Sequence, residues 1–167
     1  MELGTPAAFA ATWLAMMAAM MLPGAAPAVA RAVTATGRAL TVPLFSGSYL
    51  AVWAVVGLVV YALYEPHGAT VTGALSIAAG LYELTPLKRM CRERCRRRVR
   101  SGTQFGIYCV GSSIGLMTML VALDVMSIAW CAVIGALITA QKLLPPRAYL
   151  DVPVALAIVV LGAAMLA

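Results

Sequence analysis

The chain has 167 residues, of which 63% are hydrophobic and 11% are charged, and it carries a net charge of +6. A water-soluble domain is about half apolar and about a quarter charged, so this composition argues against an ordinary soluble fold and indicates a membrane protein. The length predicts a single domain over residues 1–167, built as an all-α, polytopic membrane helix bundle.

Six apolar stretches follow one another along the chain. A helix needs roughly 20 residues to cross the bilayer, and each stretch is a candidate for such a helix. The first begins near Pro6 and is interrupted by Pro23 and Pro27, so it either ends near Leu22 or continues as a kinked helix. The acidic start at Glu2 is unlike a secretory signal, so we expect this stretch to be retained. The other five are expected at 46–64, 69–87, 105–123, 126–140 and 152–167.

Basic residues separate cleanly between the loops that join these stretches. The odd-numbered loops hold all of them: Arg31 and Arg38, eight residues within 88–100, and Lys142 and Arg147. Because cytoplasmic loops collect Lys and Arg, we expect a multi-pass membrane protein with its basic loops in the cytoplasm and both termini outside.

The segment 88–100 is the densest run of charge, and it is expected to be a solvated loop that touches anionic lipid headgroups. No aromatic residue interrupts it to stack a base, so nucleic acid is not an expected partner. Glu83 lies about one turn before Lys88 and is expected to pair with the basic loop.

The first apolar stretch carries a cluster of methionines. At 100° per residue, the side chains of Met16, Met17, Met20 and Met21 fall within an arc of about 140°. The opposite side has a small-residue stripe suited to close helix packing, formed by Ala11, Ala15 and Ala19. Thioethers are soft ligands for Cu(I), although methionine also fills irregular gaps in helix bundles.

Three of the four cysteines are expected near the cytoplasmic end of the bundle. Cys91 and Cys95 form a C-x-x-x-C pair whose flanking arginines should lower the thiol pKa. Cys109 lies early in the fourth stretch, near the same surface, whereas Cys131 is expected near the outer surface and is left out of the site. The predicted metal ligands are therefore Met16, Met17, Met20, Met21, Cys91, Cys95 and Cys109.

Several motifs resemble a bacterial family of uncharacterised proteins described as predicted metal-binding integral membrane proteins. The similar segments are 13–23 (WLAMMAAMMLP), 49–53 (YLAVW), 84–88 (LTPLK), 108–111 (YCVG) and 142–145 (KLLP). The resemblance implies a multi-helix membrane fold that binds a metal, with copper the expected ion. Where the family pattern resembles Cys-x-Gly-Cys-Cys, this chain has Ser112 and Ser113 after Gly111, and Gln141 replaces an expected acidic residue.

Three functions remain open from the sequence. The first is a metal-binding, copper-handling membrane protein. The second is an accessory subunit that packs against other membrane subunits in a larger complex, and the third is a small-molecule transporter with helices broken at Pro23 and Pro86. The sequence shows no Ser-His-Asp set and no paired carboxylates, so an enzyme is not expected.

Overall fold

The computed structural model describes residues 5–64, 68–97, 101–124, 127–144 and 151–166. These residues contain no strand and form seven helices, which confirms the all-α helix bundle. The helices are α1 (Pro6–Thr36), α2 (Thr41–Leu63), α3 (Ala69–Glu83), α4 (Pro86–Arg96), α5 (Gly102–Asp124), α6 (Ile128–Leu143) and α7 (Asp151–Ala164). His67, Met126 and Arg147 lie outside the described residues.

Three of these helices, α1, α2 and α5, are long and apolar enough to cross a membrane. The helices α6 and α7 are also apolar but shorter, with 16 and 14 residues. By length and composition the bundle is therefore of the membrane type, while the expected number of six crossings stays a prediction.

Helix α1 continues through both of its prolines. It begins where the Thr5 hydroxyl accepts a hydrogen bond from the Ala8 N–H, with Pro6 in the first turn, where proline needs no hydrogen-bond partner. It ends at Gly37, whose φ of 66° is the left-handed conformation that stops helices. The second of the two sequence alternatives, a helix that passes Pro23, is therefore the observed one.

The third apolar stretch is divided into two helices, which corrects the prediction of one helix over 69–87. The residue before a proline avoids the helical region, and Thr85 accordingly has extended backbone angles of −70° and 148°. The Thr85 hydroxyl then caps α4 by accepting a hydrogen bond from the Lys88 N–H, and Pro86 occupies the first turn. The segment that was expected as a solvated loop is therefore a helix at least as far as Arg96.

Packing places the methionine side of α1 inside the bundle. Met17 and Met21 are fully buried, and Met20 is 7% exposed. Ala11, Ala15 and Ala19 face outward, so the prediction that they form the packing face of α1 is wrong within this chain. Close helix approach occurs instead between α3 and α7, where a Cβ at Gly73 would lie 2.8 Å from the Gly162 carbonyl oxygen.

Candidate metal centre

One thiol and one thioether approach the same cation at one end of the bundle. The Lys142 ammonium, in the last turn of α6, donates to Cys109 Sγ on α5 at 2.8 Å. It also lies 3.8 Å from Met21 Sδ on α1. Both sulfur-bearing residues are fully buried, so two soft donor atoms from different helices converge on one positive charge in the core.

Neighbouring helices hold this arrangement in place. The Tyr49 hydroxyl on α2 lies 3.1 Å from Cys109 Sγ, and the Tyr49 ring packs against Phe105. Gly24 makes room for the lysine stem, because a Cβ there would lie 2.9 Å from Lys142 Cδ. The sulfur pair, Cys109 Sγ and Met21 Sδ, is thus surrounded by packed side chains of α1, α2 and α5, and Lys142 approaches it from α6.

Helix α4 presents charged and thiol side chains to the core together. Four residues at helical spacing are buried: Lys88, Cys91, Arg92 and Cys95. Arg89, Glu93, Arg94 and Arg96 are exposed on the other side. The expectation of a wholly solvated basic segment is therefore wrong, because one face of the segment is buried within the bundle.

Two buried ion pairs fasten α4 to the rest of the bundle. Lys88 bonds the Glu83 carboxylate and donates to Gln141 Oε1 at 3.1 Å, which confirms the expected pairing of Glu83. Burial lowers the pKa of Lys88, against the opposing effect of the Glu83 carboxylate. Arg92 donates to both Asp151 carboxylate oxygens, at 2.8 and 3.0 Å. Gln141 is therefore a buried partner of the Lys88–Glu83 pair.

The α4 cysteines pack against α5. A Cβ at Gly111 would lie 2.7 Å from Cys91 Sγ, and Cys95 Sγ lies 4.0 Å from the Phe105 carbonyl oxygen. Burial raises the pKa of Cys95 to about 12, with a further rise from neighbouring Cys109. For Cys95 the expected lowering of the thiol pKa by arginine is therefore wrong, because desolvation outweighs the nearby positive charges.

A cavity of about 210 Å³ adjoins the sulfur pair. Its lining includes Arg31, Arg92, Cys95, Arg96, Ser112 and Lys142, which come from four helices. The basic residues of three separate sequence segments therefore meet at the end of the bundle that holds Cys109 and Met21.

Ser112 and Ser113, which follow Gly111 on α5, bond to the backbone. Ser112 and Ser113 each donate a hydrogen bond to the Cys109 carbonyl oxygen, one turn earlier on α5. Ser113 Oγ also lies 4.0 Å from Cys109 Sγ. Within the described parts of the chain, no three His, Cys, Asp or Glu side chains form a group that could hold a metal ion.

Two of the other predicted methionine ligands, Met16 and Met17, lie in different surroundings. Met17 lies in the closed hydrophobic core. Met16 faces α6, where its sulfur lies 3.1 Å from Cys131 Sγ. The sequence placed Cys131 near the outer surface, too far along the bundle to join any predicted ligand. For Met16 this prediction is wrong, because α1 and α6 pack side by side and bring the first turn of α6 against Met16. The full predicted ligand set stays a prediction.

These features define a helical bundle in which soft sulfur ligands from different helices meet inside a largely apolar core. The model of the PpoB2 family, described as copper chaperones, matches residues 10–165. The chain therefore belongs to this copper-chaperone family, which supports the expectation of a copper-related protein. Comparisons with curated proteins and with solved structures gave no match.

Proposed function

We propose that this protein is a membrane-embedded copper chaperone that holds Cu(I) between Cys109 and Met21. The observation that carries the proposal is the Lys142 ammonium, which is within reach of both sulfurs. A thiolate and a thioether are the ligand types that favour Cu(I) over harder metals. The Lys142 ammonium shows that one positive charge can lie within reach of both sulfurs.

Loading requires Lys142 to move aside. A lysine ammonium is carried by a flexible four-carbon side chain, so the ammonium can swing away from the sulfurs while the helix stays in place. The stem lies against Gly24, beside the basic cavity, which offers the displaced side chain space. Cys95 borders the same cavity and is the predicted thiol best placed to serve as a third ligand.

Metal content measured on purified protein tests this site. The chain is produced in copper-supplemented cells, purified under reducing conditions and analysed for copper per chain. We expect this site to hold about one Cu(I), so Cys109→Ser and Met21→Leu should both lower the copper content by about one ion per chain. Met119→Leu is the matched control, because Met119 is also buried but lies outside the Cys109–Met21 pair. Copper retained in full by Cys109→Ser would refute this ligand assignment.

The proposed surroundings follow from the charge pattern. We place the protein in the bacterial inner membrane, with its basic loops in the cytoplasm, both termini outside, and anionic headgroups against the exposed arginines of α4. Single cysteines at positions 67 and 97, in a background without native thiols, test this. An impermeant reagent applied to intact cells should label position 67 and leave position 97 unlabelled, and the reverse result would invert the topology.

A role as an accessory subunit is the second candidate. It is favoured by the outward-facing stripe of Ala11, Ala15 and Ala19, which another membrane helix could approach closely. Mild-detergent purification that recovers a stoichiometric membrane partner, lost in Ala15→Leu, would support this candidate. The transporter alternative rested on helix breaks at Pro23 and Pro86. Helix α1 continues through Pro23, whereas the chain does break before Pro86, so this alternative stays a prediction.

A further inference from the structure

A second pair of soft ligands lies nearer the start of α1, away from the Lys142 site. Cys131, in the first turn of α6, directs its thiol at Met16 Sδ with the two sulfurs 3.1 Å apart. Met16 and Cys131 are both partly exposed, unlike the fully buried Cys109 and Met21. This pair is therefore reachable without opening the core.

The pair lies in a groove of about 420 Å³ between α1 and α6. The groove is lined by Thr12, Met16 and Met20 from α1 and by Cys131 and Gly135 from α6. Gly135 allows this approach, because a Cβ there would lie only 3.2 Å from Met20 Cγ. A second thioether is thereby held one helical turn from Met16, along the same groove.

The sulfurs of α1 connect the two pairs. Met16 and Met20 are one turn apart and border the groove, and Met21 is the next residue, already turned into the core beside Lys142. Met21 is the fifth residue after Met16, which is a rise of about 7.5 Å along the helix. A metal ion that moves from the groove to the core would thus find a thioether at each step.

We propose that Cys131, Met16 and Met20 form a second site for a soft monovalent metal ion, from which the ion exchanges with the Cys109–Met21 pair. This inference rests on the proposed function. Binding replaces the Cys131 thiol proton by the metal ion, and the proton passes to water. Transfer to the core pair is ligand exchange, so the metal keeps its oxidation state and no electron donor is needed.

Titration with Ag(I), a soft ion of the same charge, tests the second site in the full-length chain in detergent under reducing conditions. We expect about two ions per wild-type chain and about one in Cys131→Ser and in Cys109→Ser, with none in the double variant. Met16→Leu keeps the apolar volume and should weaken the second ion at least about tenfold. Met119→Leu is the control, and circular dichroism with gel filtration verifies that each variant folds.

X-ray absorption at the silver edge adds a readout that a purely structural role would not change. In Cys109→Ser, the remaining silver should keep thiolate and thioether sulfur neighbours, and Met16→Leu in that background should remove one of them. Two ions retained by Cys131→Ser would overturn the second site. One wild-type ion that depends on Cys109 alone would also overturn it. One ion that depends on Cys131 alone would refute the core site but leave this one, and no binding at all would refute both.

Discussion

The Arg92–Asp151 pair gives the sharpest test of how α4 is held. Both side chains are only 4% exposed, and two hydrogen bonds join them at 2.8 and 3.0 Å. Replacing Asp151 by Ala leaves a guanidinium charge without its carboxylate in a buried site. Breaking a buried pair in this way costs about 3–5 kcal/mol, which lowers the folded-to-unfolded ratio by roughly two to four orders of magnitude.

Equilibrium unfolding in mixed detergent micelles, followed by far-UV circular dichroism, measures this cost. The double change Arg92→Met with Asp151→Leu should be more stable than Asp151→Ala, because it leaves no charge unpaired. Arg89→Met is the matched control on the exposed face of the same helix and should change the free energy of unfolding by less than about 0.5 kcal/mol. If Asp151→Ala is as stable as wild type, or the double variant is no better, the pair does not anchor α4.

Two further predictions concern packing and thiol chemistry. Gly111→Leu should lower the free energy of unfolding by about 1–3 kcal/mol because its side chain meets Cys91, whereas Ala15→Leu on the outward stripe should not, and thermal unfolding of the purified chain compares them. In a chain that keeps only Cys95, alkylation should be slow at neutral pH and should still be rising at about pH 9, since the thiolate is the reactive form and burial raises the pKa of this thiol. An alkylation rate that stops rising below about pH 9 would contradict this and would mean that arginine lowers the pKa of the Cys95 thiol, as the sequence suggested.

The positions of the apolar helices were predictable from local composition. The stretch expected at 46–64 is α2 (Thr41–Leu63), and that expected at 105–123 is α5 (Gly102–Asp124). The predicted and observed positions agree for a physical reason: a run of apolar residues long enough to cross hydrocarbon can satisfy its backbone hydrogen bonds in few ways other than a helix. The break before Pro86 was the exception, and its cause, a proline at the first helical position with a threonine cap, is visible in the sequence.

The candidate site was predictable only in its residue types. Met21 and Cys109 were both expected ligands, but their meeting at Lys142 depends on how three helices are rotated about their axes. Lys88 and Arg92 were expected in water, and the groups that bury them, Gln141 and Asp151, lie more than fifty residues further along the chain. Local charge density cannot show such partners, so a run of arginines was taken for a solvated surface.

The length of α1 has a mechanical consequence. Its 31 residues, at about 1.5 Å each, make a rod of roughly 46 Å, against a hydrocarbon thickness of about 30 Å. Tilt alone would have to reach about 50° to hide the whole rod, beyond the range that membrane helices adopt. In the proposed orientation the last turns of α1, with Arg31, would therefore extend beyond the lipid into water. The short turn at Gly37, which follows them, would also lie in water.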